Sequence, residues 1–205
     1  MFAWRISVVI AGMGLLMAGD CPFVLFPEPD DPVTYRDGFE DGLDDWTKGA
    51  DVPDDPNNPG QKVAWAITRS TTQASEGEAS AKFTLDGRQD DGTIWLRRSF
   101  AASPLQDYTA IVDFRLWSES ESFNLIARPA VYVGNAAPTM EEQFDLSQAA
   151  NLEPGWRRYI YEDLEVSTGL DGRVHVAVGL SVFFETEITY YIDDVRIEIE
   201  PVLEP

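Results

Sequence analysis

Several residues in this sequence have types and spacings that could do binding chemistry. Trp95 and Arg97 lie two apart, as do Arg157, Tyr159 and Tyr161, and Arg128 is followed by Tyr132. His175, Ser181, Phe183 and Glu185 continue the pattern in a later segment. On a strand, residues two apart share a face. A solvated face ordinarily carries Thr, Lys, Glu and Ser, whereas these positions interleave large rings with guanidinium groups. Such a mixture can stack on a flat apolar surface while hydrogen-bonding its polar edge, the combination a sugar ring offers. Trp95 and Phe183 are the expected stacking groups, and Arg97, Tyr161 and Glu185 the expected polar contacts.

A second feature is the stretch Tyr190-Tyr191-Ile192-Asp193-Asp194-Val195. Strands normally exclude Asp, whose carboxylate prefers nearby backbone in turns. Counting by twos from the apolar Val195, Ile197 and Ile199 places Asp193 on the inward side, where an unpaired carboxylate would cost several kcal/mol or take up a proton. Asp193 therefore needs a partner: a metal cation, an arginine or backbone N–H groups. Asp194 falls on the opposite side with Arg196 and Glu198 and is expected to be solvated.

Catalytic signatures are sparse. The sole histidine, His175, has no evident partner for nucleophilic catalysis. Retaining glycosidases set two carboxyls about 5 Å apart. Glu185 and Glu187, two apart on a strand edge, read better as surface charges ending the strand. No P-loop, dinucleotide fingerprint, zinc spacing or EF-hand order occurs, and the segment 51–60 has acids and glycine without the alternating ligand pattern.

The elements that must position these residues are strands. The chain has 205 residues, enough for one ordinary domain, and 44% hydrophobic with 12% aromatic residues supplies a core. From residue 33 onward, short runs rich in β-branched and aromatic residues alternate with Gly, Pro, Asn and Asp. Strands are predicted over 33–39, 63–69, 79–85, 93–100, 108–117, 123–133, 156–162, 174–184 and 188–199, with a short helix over 140–150. Nine strands separated by turn signals indicate an all-β, antiparallel sandwich. Its core sets include Tyr108, Ala110, Val112, Phe114 and Leu116 on one strand. Val174, Val176, Val178, Leu180, Val182 and Phe184 form the set on another.

Fifteen basic against 36 acidic residues give a formal net charge of −21. Such a surface repels nucleic acid and anionic headgroups at long range. It serves solubility, and some of its carboxylates are candidates to hold divalent cations. The first twenty-one residues carry one charge, Arg5, and an apolar run too short for an ordinary bilayer, as expected of a signal for export. Residues 22–32, with Pro27, Pro29 and Pro32 among acids, read as an extended tether. Residues 33–205 form the domain, expected to be monomeric.

Two resemblances refine this reading. Leu15-Leu16-Met17-Ala18-Gly19-Asp20-Cys21 resembles the cleavage and lipidation box of bacterial lipoproteins, departing at Asp20, where such boxes carry a small residue. It implies lipidation of Cys21 and a membrane contact through that anchor alone; the mass of the mature N-terminus decides between this and a soluble secreted protein. Tyr35 to Trp46, Ala74 to Phe83 and Tyr190 to Val195 together resemble the β-jelly-roll carbohydrate-binding modules that accompany bacterial glycoside hydrolases. The shared pattern is Phe-Glu followed by Gly-Leu and Trp, a Ser-x-Gly turn into a strand, and Tyr-Ile-Asp-Asp-Val. That resemblance implies a structural calcium held by Glu40 and Asp193, with backbone carbonyls from around Asp37 and Gly77. It also implies a polysaccharide or glycan partner. The reading that follows is a non-catalytic carbohydrate-binding-like module outside the cell. The alternatives are a structural or adhesive surface domain without a sugar site and a polysaccharide-active enzyme working through Glu185.

Overall fold

The computed structural model describes residues 31–87, 92–119, 127–150, 154–183 and 186–203. Ten strands are present among them: β1 (Val33–Asp37), β2 (Thr47–Asp51), β3 (Trp65–Ser70), β4 (Ser80–Gly87), β5 (Gly92–Ala101), β6 (Asp107–Ser118), β7 (Ala127–Gly134), β8 (Gly155–Ser167), β9 (Arg173–Val182) and β10 (Thr186–Pro201). All pairings are antiparallel. One sheet runs β3-β4-β10-β6-β8, with β1 also on β10, and the other runs β2-β5-β9-β7. The expected antiparallel sandwich is therefore observed.

Three local expectations need correction. Segment 140–150 is not a helix: only Glu141–Gln143 forms a single 3₁₀ turn, after which Asp145 makes a β-bridge to Val131. Strand β2, Thr-Lys-Gly-Ala-Asp, was not anticipated, because nothing in it is apolar and β-branched. Strand β8 runs to Ser167, well beyond residue 162. Positions 123–126 of the strand expected over 123–133, and Phe184, lie outside the described residues.

The core lies between the sheets. Ala110, Val112, Phe114 and Leu116 of β6 face Val174, Val176, Val178, Leu180 and Val182 of β9, all at most 1% exposed. Sequence alternation specified both sets, since a one-residue slip would turn every member outward.

Strand β10 organises the larger sheet. One of its edges pairs with β6 from Tyr190 to Pro201, while the other is shared between β4, up to Ile192, and β1, from Val195. The register against β6 shifts by one residue between Asp193 and Arg196, and Asp194 sits in the left-handed region at φ 49°. This is a β-bulge, in which one extra residue bends the strand and is itself left out of the ladder. Ile188, Tyr190 and Ile192 point inward before it, and Val195, Ile197 and Ile199 after it. Strand β8 carries a second bulge opposite Ala110 and Val112, where Asp163 is left-handed at φ 55°. Its inward set accordingly changes from Tyr159 and Tyr161 to Leu164 and Val166.

Candidate functional site

The outer face of the four-stranded sheet gathers most of the expected ligand contacts. Ile94 and Leu96 of β5 point into the core, so Trp95 and Arg97 point out. Register places Trp95 beside Gly49 and Gly179, and Arg97 beside Thr47 and Ala177. A Cβ on Gly49 would collide with the Trp95 indole, so glycine here admits the ring across β2. Arg97 Nη1 lies 3.0 Å from His175 Nδ1. Burial, and then the charge of Arg97, push the His175 imidazole below its ordinary pKa, which keeps it neutral and able to accept the guanidinium hydrogen. Phe183 follows the last residue of β9 and is 39% exposed, with the Arg128 guanidinium 4.8 Å from its ring centroid.

Trp95, in contrast, is only 4% exposed. The segment 135–150 straps across its face. Phe144 sits 5.0 Å from the Trp95 ring and 5.8 Å from Tyr132, and Ala130 and Ala177 complete this small outer cluster. The strap is fastened along its length. Val131 N–H donates to Asp145 O (3.2 Å), Asp145 N–H to Val131 O (2.7 Å), and Ala150 N–H to Ala127 O (3.1 Å). Arg128 Nη1 donates to Leu146 O at 3.1 Å. The Glu141 carboxylate accepts from the Ser181 hydroxyl at 2.7 Å and from the Thr93 hydroxyl, while Glu141 N–H donates to Asp51 at 2.9 Å. As placed, Trp95 packs this strap onto the sheet and offers no open ring face.

Tyr161 is corrected more fundamentally. With Tyr159 it points into the core, at 4% and 2% exposure, stacking with Phe114 at 6.4 Å and 5.9 Å. Each hydroxyl finds a backbone acceptor, Tyr161 on Pro129 O (3.3 Å) and Tyr159 on Ala149 O (2.8 Å), which is what permits a buried tyrosine. Burial accordingly raises both phenol pKa values. Glu185 and Cys21 lie outside the described residues.

At the β10 bulge, Asp193 is fully buried. Its Oδ2 accepts the N–H groups of Ser75 (2.7 Å) and Glu76 (3.0 Å), and Oδ1 accepts that of Asp194 (2.7 Å). The carboxylate fills the notch between β1 and β4 on the shared edge. Among the described residues no arginine or lysine forms an ion pair with it, and burial raises its pKa despite the three N–H donors. Glu40 Oε1 takes the next two donors of the same loop, Glu78 N–H (2.9 Å) and Ala79 N–H (3.0 Å). Gly77, left-handed at φ 65°, leaves room for that carboxylate where any Cβ would clash. Gly38 passes beside Asp193, since a Cβ there would lie 3.6 Å from Oδ1. Asp37 is engaged by Phe39 N–H, Tyr35 Oη and Trp46 Nε1, each at 2.7 Å. The carbonyls of Phe39 and Glu40 accept from Arg69 Nε at 3.0 and 3.1 Å. No group of three or more acidic, histidine or cysteine side chains converges among the described residues. Asp194, expected to be solvated, is instead paired with Arg36 Nε at 2.7 Å and Arg115 Nε at 3.6 Å.

The outer face of the six-stranded sheet holds an arrangement that the sequence pattern left unassembled. Trp117 stands directly opposite Trp156 on one side and Tyr191 on the other, and Arg115 directly opposite Arg158. Only alternation along β6 hinted at it, since cross-strand register cannot be read from one chain.

These features define an antiparallel β-sandwich whose two outer faces both mix rings with arginines. Its fold is similar to that of a carbohydrate-binding module of the β-sandwich superfamily described for promiscuous specificity. The TM-score is 0.50 at 15% identity, over 84% of this chain and 75% of that one. The CBM22-1 xylan-binding domain of Paenibacillus barcinonensis Xyn10C gives 0.45 at 14%, over 83% of this chain and 95% of that one. The mannan-recognising module TmCBM27 gives 0.45 at 13%, over 84% of this chain and all of that one. No protein-family model and no curated protein matches the sequence. The likeness is one of fold.

Proposed function

We propose that this chain is an exported, non-catalytic carbohydrate-binding-like module, held at the cell envelope through Cys21 or secreted, and built around a structural calcium. The observation that carries the sugar reading is the exposed Phe183 ring with the Arg128 guanidinium over it, on the same sheet face as the Arg97–His175 pair. A partly exposed ring beside arginine donors provides apolar stacking and polar edge contacts together. Trp95 serves as the floor under the strap. The test is affinity electrophoresis in gels containing xylan, mannan or mixed-linkage glucan. Retardation by at least one of them, reduced about ten-fold in Phe183→Ala, is expected; free migration in all three gels retires this site.

The proposed calcium would be held by Glu40 and Asp193, with carbonyls near Asp37 and Gly77, and would supply positive charge where, among the described residues, Asp193 meets only N–H donors. Excess EDTA is then expected to lower the thermal midpoint of the full chain by several degrees, and re-added calcium to restore it. An unchanged midpoint removes calcium from the account.

A structural or adhesive domain is the second reading, favoured by the strap that closes over Trp95. It predicts free migration in every gel.

A further inference from the structure

The outer face of the six-stranded sheet carries a second constellation, independent of the strap-covered one. Register lines up Lys82, Tyr191, Trp117 and Trp156 across β4, β10, β6 and β8. Directly paired residues in an antiparallel sheet point to the same side, and Leu116 and Ile192 beside them are core residues, so this row points outward. Tyr191 packs edge-on against Trp117, with centroids 5.3 Å apart and planes at 86°. It is buried there while Trp117 and Trp156 remain partly exposed. Neither tryptophan belongs to an apolar core cluster. Tyr191 is thus a buttress, and the two tryptophans span neighbouring strands about 4.8 Å apart.

The next row is cationic. Arg115 and Arg158 are direct cross-strand neighbours with side chains 46% and 55% exposed. Like charges placed opposite one another repel unless an anion lies between them. Arg158 has one, binding Asp113 through Nε (2.9 Å) and Nη2 (2.6 Å). Among the described residues Arg115 pairs only with Asp194, at 3.6 Å, and that carboxylate is held more closely by Arg36. In a chain where acids outnumber bases 36 to 15, two exposed arginines beside two tryptophans run against the average surface.

We propose that this face binds an acidic polysaccharide, its ring faces on Trp117 and Trp156 and its carboxylate or sulfate groups on Arg115 and Arg158. The proposal rests on the carbohydrate-binding reading but places the ligand on the opposite sheet. Guanidinium groups match such anions in charge and in the geometry of their paired oxygens. The net charge of −21 opposes a polyanion at long range, but at physiological salt it is screened beyond about 8 Å, so the local pair decides.

The test is native affinity electrophoresis of the full chain at physiological ionic strength in gels containing polygalacturonate, dextran sulfate, xylan or mannan. Retardation by polygalacturonate is expected, weakened about ten-fold in Trp117→Ala and in Arg115→Gln. Dextran sulfate retarding equally supports any anionic sugar polymer; polygalacturonate acting alone supports the carboxylate. Arg115→Gln alters only a half-exposed side chain, so it keeps the test decisive should Trp117→Ala unfold. Free migration in both polyanion gels, equal retardation of wild type and Arg115→Gln, or equal competition by a single-stranded oligonucleotide overturns the proposal. So does a concentration-dependent dimer that Trp117→Ala abolishes. Retardation by xylan or mannan alone, lost in Phe183→Ala, defeats this inference while leaving the four-stranded face as the sugar site. Free migration in all four gels defeats this inference, and free migration in mixed-linkage glucan as well defeats the reading it rests on.

Discussion

Asp193→Ala is expected to destabilise the domain by about 3–5 kcal/mol, measured as a shift in the urea midpoint at unchanged slope. The reason is geometric. Ser75, Glu76 and Asp194 all direct N–H groups at this carboxylate, and its removal leaves three donors without an acceptor at a fully buried position. Each buried donor left unmade costs about 1–3 kcal/mol, less where water can enter. Asp193→Asn keeps the shape but turns an NH₂ toward an N–H group, and is expected to cost about half as much. In metal-free solution the pH dependence has a definite sign. Burial raises the Asp193 pKa above that of the unfolded chain, so the folded state binds the proton more readily. The associated stability is fully present below the unfolded value of about 3.9 and is lost as pH rises through the folded value. Asp193→Asn should flatten that portion of the profile; an identical profile in both proteins would show that Asp193 does not titrate there.

The second large effect separates two rings that appear equivalent in sequence. Trp95→Ala is expected to cost about 3 kcal/mol, as for other buried tryptophans, because it removes the floor on which Phe144 and the strap pack. Phe183→Ala, at 39% exposure, is expected to stay within about 1 kcal/mol of wild type. Urea titration of both variants reads the contrast. A stable Trp95→Ala would mean that the strap does not depend on this ring.

That contrast shows where sequence reasoning carried and where it stopped. Alternation in β6 and β9 is clean because each lies between two strands and packs one face on the core, so the fold and its inner residues were legible. Trp95 and Arg97 were correctly assigned to an outer face. What covers Trp95 was not legible, because Phe144 reaches it from a segment whose only regular feature is a single turn and a bridge. Tyr159 and Tyr161 were misplaced because a tyrosine on a strand reads as polar until its hydroxyl partners are known. Asp193 was rightly expected inside, though not for the reason counting by twos supplies. Counted from Ile192 it would point outward, and the bulge at Asp194 reconciles the two phases. A bulge inserts one residue without any compositional mark beyond an Asp tolerant of left-handed backbone.

The divided edge of β10 also has a meaning in time. Remove residues 186–201 and the larger sheet falls into three unjoined pieces, namely β1, the β3–β4 pair and the β6–β8 pair. Val33 near one end of the domain waits for Ile199 near the other, so closure needs contacts of nearly maximal sequence separation, the kind that slows folding. Until β10 has been made, the larger sheet therefore lacks the strand that joins its pieces.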